Sequence, residues 1–242
     1  MPVHRRYILS MTDIGTTDYQ GVQIMLLVNN SEDSKHRIAE ELGSETTIRL
    51  YRAFVQDTMA TLDAADLRYA LALYPENSDL SEWIDQDVEI YPQRGTTPVE
   101  RVKNTFLDAF SRGEDKVLVL VSDVPDLPLE EIMEAIYSFK ESEVVIGPSV
   151  DGGYNLIGFS KESFRESAFE DISWGTDMAF ADTAEKLGGM TIHLLSPWPD
   201  LDTIANIRAL IREKRNPHFQ SSKTMKILED TNLLSKSSCG IK

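Results

Sequence analysis

Apolar and polar positions follow two rhythms along this chain. Short, unbroken apolar runs at Gln23–Val28, Arg68–Leu73 and Lys116–Val121 have strand length. Lys116–Val121 is the strongest of them, and its continuity suits a parallel strand covered on both faces. Further strands are predicted at Val88–Tyr91, Val144–Ile146, Asn155–Phe159 and Thr191–Leu195. Between the strands, apolar residues recur at helical spacing. Ile48, Tyr51, Val55, Met59 and Leu62 lie 3, 4, 4 and 3 positions apart, one face of a helix beginning at Ser44. Val99, Val102, Phe106 and Phe110 mark a helix from Pro98, a favoured first-turn residue. Helices are also predicted from near Ser34, over Leu129–Phe139, from Thr176 to near Leu187, and over Ile204–Arg215.

This alternation predicts an α/β fold: one mostly parallel sheet with helices on both faces and Lys116–Val121 near its centre. Residues 1–22 read as a loose extension, 23–216 as a single domain, and 217–242 as a polar, poorly ordered tail. In such sheets ligands sit outside the carboxyl ends of the strands, so the residues following each strand are the candidates for chemistry.

Composition narrows the class. Of 242 residues, 41% are hydrophobic and 26% charged, an ordinary globular balance. The formal net charge of −16, without a basic stripe, argues against a nucleic-acid partner. No apolar run approaches the roughly 18 residues of a membrane span. The single cysteine, Cys239, excludes an intrachain disulfide and suits a reducing, cytoplasmic setting. The four histidines lack zinc-ligand spacing.

Four segments carry candidate chemistry. Asp123 directly follows the strongest strand; it could meet a diphosphate through a divalent cation, or with Asp126 cap the next helix. Asp151-Gly152-Gly153 follows another strand. Its glycines allow close backbone approach to a ligand, while a plain hairpin turn is the competing reading. Asp200 and Asp202, two apart, could share a cation; Thr203 reads better as a helix cap. Trp174 beside Gly175 could wall a sugar or base, or belong to the core with Thr176 as a cap. Lys35 and Arg37 follow the first strand, where basic side chains could meet phosphates or simply be solvated. Glu100 and Arg101 read as an intrahelical surface pair.

Together these segments resemble the glycosyltransferase-A-like nucleotide-diphospho-sugar transferases, some of which are labelled arsenosugar-biosynthesis glycosyltransferases. The likeness runs in order from about Gln23 to Arg212, through 50–58, 122–128, 147–158, 174–176 and 200–203. Residues 147–158, Gly-Pro-Ser-Val-Asp-Gly-Gly-Tyr-Asn-Leu-Ile-Gly, are the most specific part. The resemblance implies a Rossmann-like sheet of the nucleotide-diphospho-sugar transferase fold. It implies Asp123 as the residue linked to Mg²⁺ or Mn²⁺, with Asp200 and Asp202 beside it. Lys35, Arg37, Arg101, Gly152, Gly153 and Trp174 become candidate nucleotide contacts, and Asp151 the candidate for orienting or deprotonating an acceptor.

The implied function is metal-dependent glycosyl transfer from a nucleotide-diphospho-sugar to a small-molecule acceptor. Two alternatives stay open: nucleotidyl transfer to a phosphorylated small molecule, and a degenerate binder without turnover. Departures from the family pattern motivate the last. The loop after the first strand, residues 29–34, has no glycine, and Glu32 and Asp33 would repel a diphosphate. The later loop, residues 93–98, keeps Gln93 but lacks the usual Gly-Asp pair.

Overall fold

A computed structural model describes residues 21–31, 35–84, 87–231 and 233. Residues 1–20 of the expected N-terminal extension, Glu32 and Asp33, and the last nine residues of the chain lie outside them, while Val22, expected in that extension, begins the first strand.

Among the described residues seven strands form one sheet: β1 (Val22–Asn29), β2 (Tyr69–Tyr74), β3 (Ile90–Pro92), β4 (Lys116–Val121), β5 (Val144–Pro148), β6 (Tyr154–Ser160) and β7 (Ile192–Leu194). Their spatial order is β3-β2-β1-β4-β6-β5-β7, which puts β4 in the middle. All neighbours are parallel except β6, which runs antiparallel to both β4 and β5. β4 has this place because both of its faces are apolar. Val117 and Val119 point into one core, Leu118 and Leu120 into the other, and all four are buried.

Among the described residues seven α-helices pack on the sheet, the first five between strands and the last two after β7: α1 (His36–Leu42), α2 (Ser44–Ala64), α3 (Pro98–Ser111), α4 (Leu129–Ser138), α5 (Ala179–Lys186), α6 (Ile204–Glu213) and α7 (Lys223–Glu229). One face of the sheet carries α1, α2, α4, α6 and α7, packed through residues such as Phe54, Ile136 and Ile207. The other face carries α3, a 3₁₀ turn at Glu166–Phe169 and the end of α5, with Phe106 against Phe110, Phe159, Phe164 and Phe169. This is the mixed α/β architecture that the sequence pattern predicts, with a mostly parallel sheet.

Several local expectations need correction. The helix expected from Thr176 starts at Ala179, because the Thr176 hydroxyl is spent on a turn, donating to the Ser173 carbonyl and accepting from Met178 N. Ser44 is the first residue of α2 rather than its cap. Gly43, at φ +79°, closes α1 and opens α2. The segment after Pro217 does not form a loose tail. A 3₁₀ turn (Pro217–Ser221) and α7 bury Phe219, Met225 and Leu228 in the main core. Glu100 is not half of a surface pair with Arg101; it completes a capping box with Thr97 at the start of α3.

Candidate active site

β1 is flanked by β2 and β4, and the chain leaves it toward β2 and later returns beside it as β4. Connections on the two sides therefore diverge, opening a crevice at the carboxyl ends of these strands. A cleft of about 370 Å³ occupies that end of the sheet. Each wall comes from a different loop: Lys35 to Arg37 after β1, Asp123 after β4, Ser149 to Gly153 after β5, Asp200 and Asp202 after β7, and Trp174 to Thr176 before α5.

Backbone bonds fix the loops to one another. Leu201 N donates to the Asp123 carbonyl at 2.8 Å, locking the segment between β7 and α6 against the end of β4. Asn155 Nδ2 donates to the Trp198 carbonyl at 2.6 Å, and Trp198 N to that of Pro148 at 3.0 Å. Beneath the cleft the Tyr51 hydroxyl accepts from Asn29 N at 2.7 Å and lies 2.9 Å from Ser122 Oγ, joining α2 to the ends of β1 and β4. Burial, and then the nearby Asp123 carboxylate, push the Tyr51 phenol up to about 12, so it remains a neutral strut.

The centre of the site is an ion triad. Lys35 Nζ lies 2.9 Å from Asp123 Oδ1 and also bonds Asp202 Oδ1. The Lys35 side chain is only 5% exposed. Burial alone would favour the neutral amine, but Asp123 and Asp202 outweigh it and hold the ammonium well above the ordinary lysine value. Asp123 itself is raised above the usual carboxylate range, by desolvation first and by Asp202 second, with Lys35 opposing. Asp200 has no basic partner of its own among the described residues. Burial, then Asp202, Asp151 and Asp123, push it up to about 7.

The four aspartates read from the sequence thus meet in one cleft, joined there by Lys35, Arg37, Gly153 and Trp174. The Asp151 loop is the hairpin connection between β5 and β6, with Ser149 N bonded to the Gly153 carbonyl at 3.0 Å, and its Asp151 lines the cleft. Trp174 packs edge-on against Tyr154 at 5.3 Å and also lines the cleft.

Two expected contacts lie elsewhere. Arg101 does not line the cleft; its guanidinium covers the Tyr74 ring at 4.0 Å. Gly152 lies behind the wall, with φ +93° and the Asp177 backbone so close that an added Cβ would sit 2.2 Å from its carbonyl oxygen. Asp126 caps no helix. Fully buried, it pairs with Arg215 at 2.6 Å, while Pro128 opens α4 without a side-chain cap. Residues that sequence reading missed are Ser149 and Asn155, which line the cleft from within the hairpin motif, and the Tyr51–Ser122 pair below it. Ser149 Oγ is buried and has no hydrogen-bond partner among the described residues.

Hard carboxylate oxygens suit Mg²⁺ or Mn²⁺. Among the described residues, however, no three acidic or imidazole groups are disposed to coordinate one ion. The expected set of Asp123, Asp200 and Asp202 shrinks to the pair Asp123 and Asp202, spanned by Lys35. A pair still fits Mg²⁺, which is commonly held by one or two carboxylates together with substrate phosphates and water.

Comparisons agree with this architecture. A protein from Desulfovibrio desulfuricans G20, named as a proposed nucleotide-diphospho-sugar transferase, superposes with a TM-score of 0.83. It is 31% identical, and the match covers 90% of this chain and 98% of that one. The sequence profile of the family described as uncharacterized protein conserved in bacteria, DUF2064, matches residues 55–176, half of the chain. The chain belongs to the DUF2064 family. Within this DUF2064 chain the profile match takes in the C-terminal part of α2, the Asp123 turn, the Asp151 hairpin and Trp174. A 2-phospho-L-lactate guanylyltransferase from Methanocaldococcus jannaschii is 22% identical over 157 residues, 63% of this chain and 66% of that one. The DUF2064 chain therefore matches just under two thirds of that curated relative's length. Rv0371c from Mycobacterium tuberculosis H37Rv, in a structure with manganese, shares the fold at TM-score 0.52 and 14% identity, covering 79% of this chain and 98% of that one. No helix among the described residues is long and apolar enough to cross a membrane.

Proposed function

We propose that this protein is a metal-dependent glycosyltransferase that takes a nucleotide-diphospho-sugar as donor. One observation carries the choice: the charge of the cleft is divided. Its basic residues, Lys35, His36 and Arg37, all come from the segment after β1. The remaining wall presents Asp151, Asp200, Ser149, Asn155 and Trp174, with no basic side chain among the described residues. The first region suits a diphosphate at the switch point of the sheet. The second suits an acceptor that offers hydroxyl groups to carboxylates and an apolar face to an indole. A phosphorylated acceptor, as nucleotidyl transfer to an anion requires, would meet unneutralised carboxylates there.

The roles follow from position. Lys35 and Arg37 contact the diphosphate, and Asp123 with Asp202 holds the cation. When bound, that cation supplies charge neutralisation on the departing nucleoside diphosphate. Asp151, exposed at the mouth of the cleft, orients the acceptor hydroxyl and takes its proton. Ser149 Oγ offers a further hydrogen bond to a bound molecule.

The likeness to the guanylyltransferase favours a second reading, nucleotidyl transfer from a nucleoside triphosphate. Product analysis separates the two. Purified protein is incubated with Mn²⁺ and either nucleotide sugars plus saccharide acceptors, or nucleoside triphosphates plus phosphorylated acceptors. Release of nucleoside diphosphate supports glycosyl transfer, and release of pyrophosphate supports the second reading. Binding of nucleotide without either product leaves a ligand-binding protein and sinks both.

A further inference from the structure

Lys35 is expected to contact phosphate, yet its ammonium is committed to Asp123 and Asp202. We infer that Lys35 is a resident stand-in for the divalent cation: ammonium and metal compete for the same carboxylate pair, and metal entry releases Lys35 to the diphosphate. The inference rests on the reading of the cleft as a nucleotide and metal site.

Three observations support it. First, the backbone beneath the two carboxylates is tied together without the lysine, because Leu201 N is bonded to the Asp123 carbonyl at 2.8 Å and Asp202 follows directly. The two aspartates therefore stay neighbours when Lys35 leaves. Second, the ammonium takes one oxygen from each carboxylate, 2.9 Å from that of Asp123. A divalent cation drawing on the same oxygens would be repelled by an ammonium held against them, so the two compete for the pair. Third, Lys35 is buried, and among the described residues this pair is its only anionic partner. Expelled alone it would become an uncompensated charge. On the same segment Arg37 faces the cleft, so the nearest place rich in positive charge is where the diphosphate is expected. Phosphate oxygens would then replace the carboxylates as partners of Lys35.

The consequence is linkage. Metal without nucleotide must break the triad and gains little; metal with nucleotide exchanges one set of ion pairs for another. Each ligand then raises the affinity for the other by the same factor.

The test measures Mn²⁺ binding to the full chain by electron paramagnetic resonance, alone and with GDP or UDP at fixed free Mn²⁺. Lys35→Met keeps the length of the side chain and removes its charge. Without nucleotide it should bind Mn²⁺ at least about tenfold more tightly than wild type, roughly the scale of one lost competing contact. Arg37→Met removes another positive charge of the cleft that is not bonded to the carboxylates, and should change the affinity far less. In wild type, nucleotide should tighten Mn²⁺ binding about tenfold or more, and in Lys35→Met by clearly less, since only the coupling through shared phosphate remains there. Unchanged or weaker Mn²⁺ binding in Lys35→Met overturns the inference, as does an equal gain in both variants, which is mere charge removal. Should Lys35→Met fail to fold, the wild-type coupling decides alone, and its absence overturns the inference. If no form binds Mn²⁺ even with nucleotide, the metal-dependent reading of the cleft fails as well.

Discussion

Arg215 Nε donates to Asp126 Oδ2 at 2.6 Å, and its Nη2 to Oδ1 at 3.3 Å, a fork-on-carboxylate pair whose acid is completely buried. Arg215 also reaches the Pro199 carbonyl at 3.3 Å, and Asn216 Nδ2 binds the Asp126 carbonyl at 3.0 Å. The pair thereby ties the turn after β4 to the segment that carries Asp200 and Asp202. Arg215→Met leaves a carboxylate unpaired in the interior, which costs about 3–5 kcal/mol. Urea unfolding should show that loss. Adding Asp126→Leu should recover part of it, since removing both charges is cheaper than stranding one.

A second long-range contact orders the end of the chain. Asp57 in α2 accepts from Lys223 N at 2.9 Å and Thr224 N at 2.8 Å, the first amides of α7. These are donors that a helix cannot satisfy internally. Asp57→Ala should lower stability by about 1–2 kcal/mol, the range of a lost helix cap. Hydrogen exchange should quicken first in residues 223–229 and leave β4 protected. Equal quickening in both would refute the contact as a local tether.

That contact also explains why α7 was not legible. Its seven residues bury only Thr224, Met225 and Leu228, too little for a periodic signal, and Asp57, which caps its first amides, lies over 160 positions away. β4 was legible because apolar residues on both faces leave few alternatives to a central strand. Asp123, Asp151, Asp200 and Asp202 were legible for a topological reason: each follows a parallel strand, and parallel strands end on one side. The bond from Lys35 to two of them was not, because it depends on how three loops meet. Arg101 misled for the converse reason. It matches the family order, yet the Tyr74 ring beside it captures the guanidinium.

Gly152 should be the least replaceable residue of the hairpin loop. Besides its positive φ, its carbonyl accepts from Phe180 N at 2.9 Å, so the loop is clasped to the start of α5. A methyl group there collides with the Asp177 backbone, which cannot rotate aside as a side chain could. Gly152→Ala should cost about 1–3 kcal/mol through overpacking and backbone strain. Gly175 also has positive φ, +78°, but open space around it, so Gly175→Ala should cost less. Thermal unfolding of both variants checks the order. The reverse order would mean that the conformation, and not the close approach, dominates.

Asp200 should make stability depend on pH in a direction opposite to that of a salt-bridged carboxylate. Burial and the charges of Asp202, Asp151 and Asp123 raise it to about 7 in the folded chain, against 3.8 for an ordinary aspartate. A raised acid means that the folded state prefers the proton. Above pH 7 the group is charged in both states, and the folded chain bears the full penalty. As pH falls from 7 toward 4 the folded group takes up its proton first, and the penalty is relieved. Below 4 both states are protonated and nothing remains. Asp200→Asn mimics the protonated form at every pH. In chelator-treated protein it should raise the melting temperature by a few degrees at pH 8, by less at pH 6, and not at all near pH 4. A gain independent of pH would point to packing or hydrogen bonding by the amide. A loss at pH 8 would show that the Asp200 charge is compensated in the folded protein, and that the electrostatic description of the cleft is wrong.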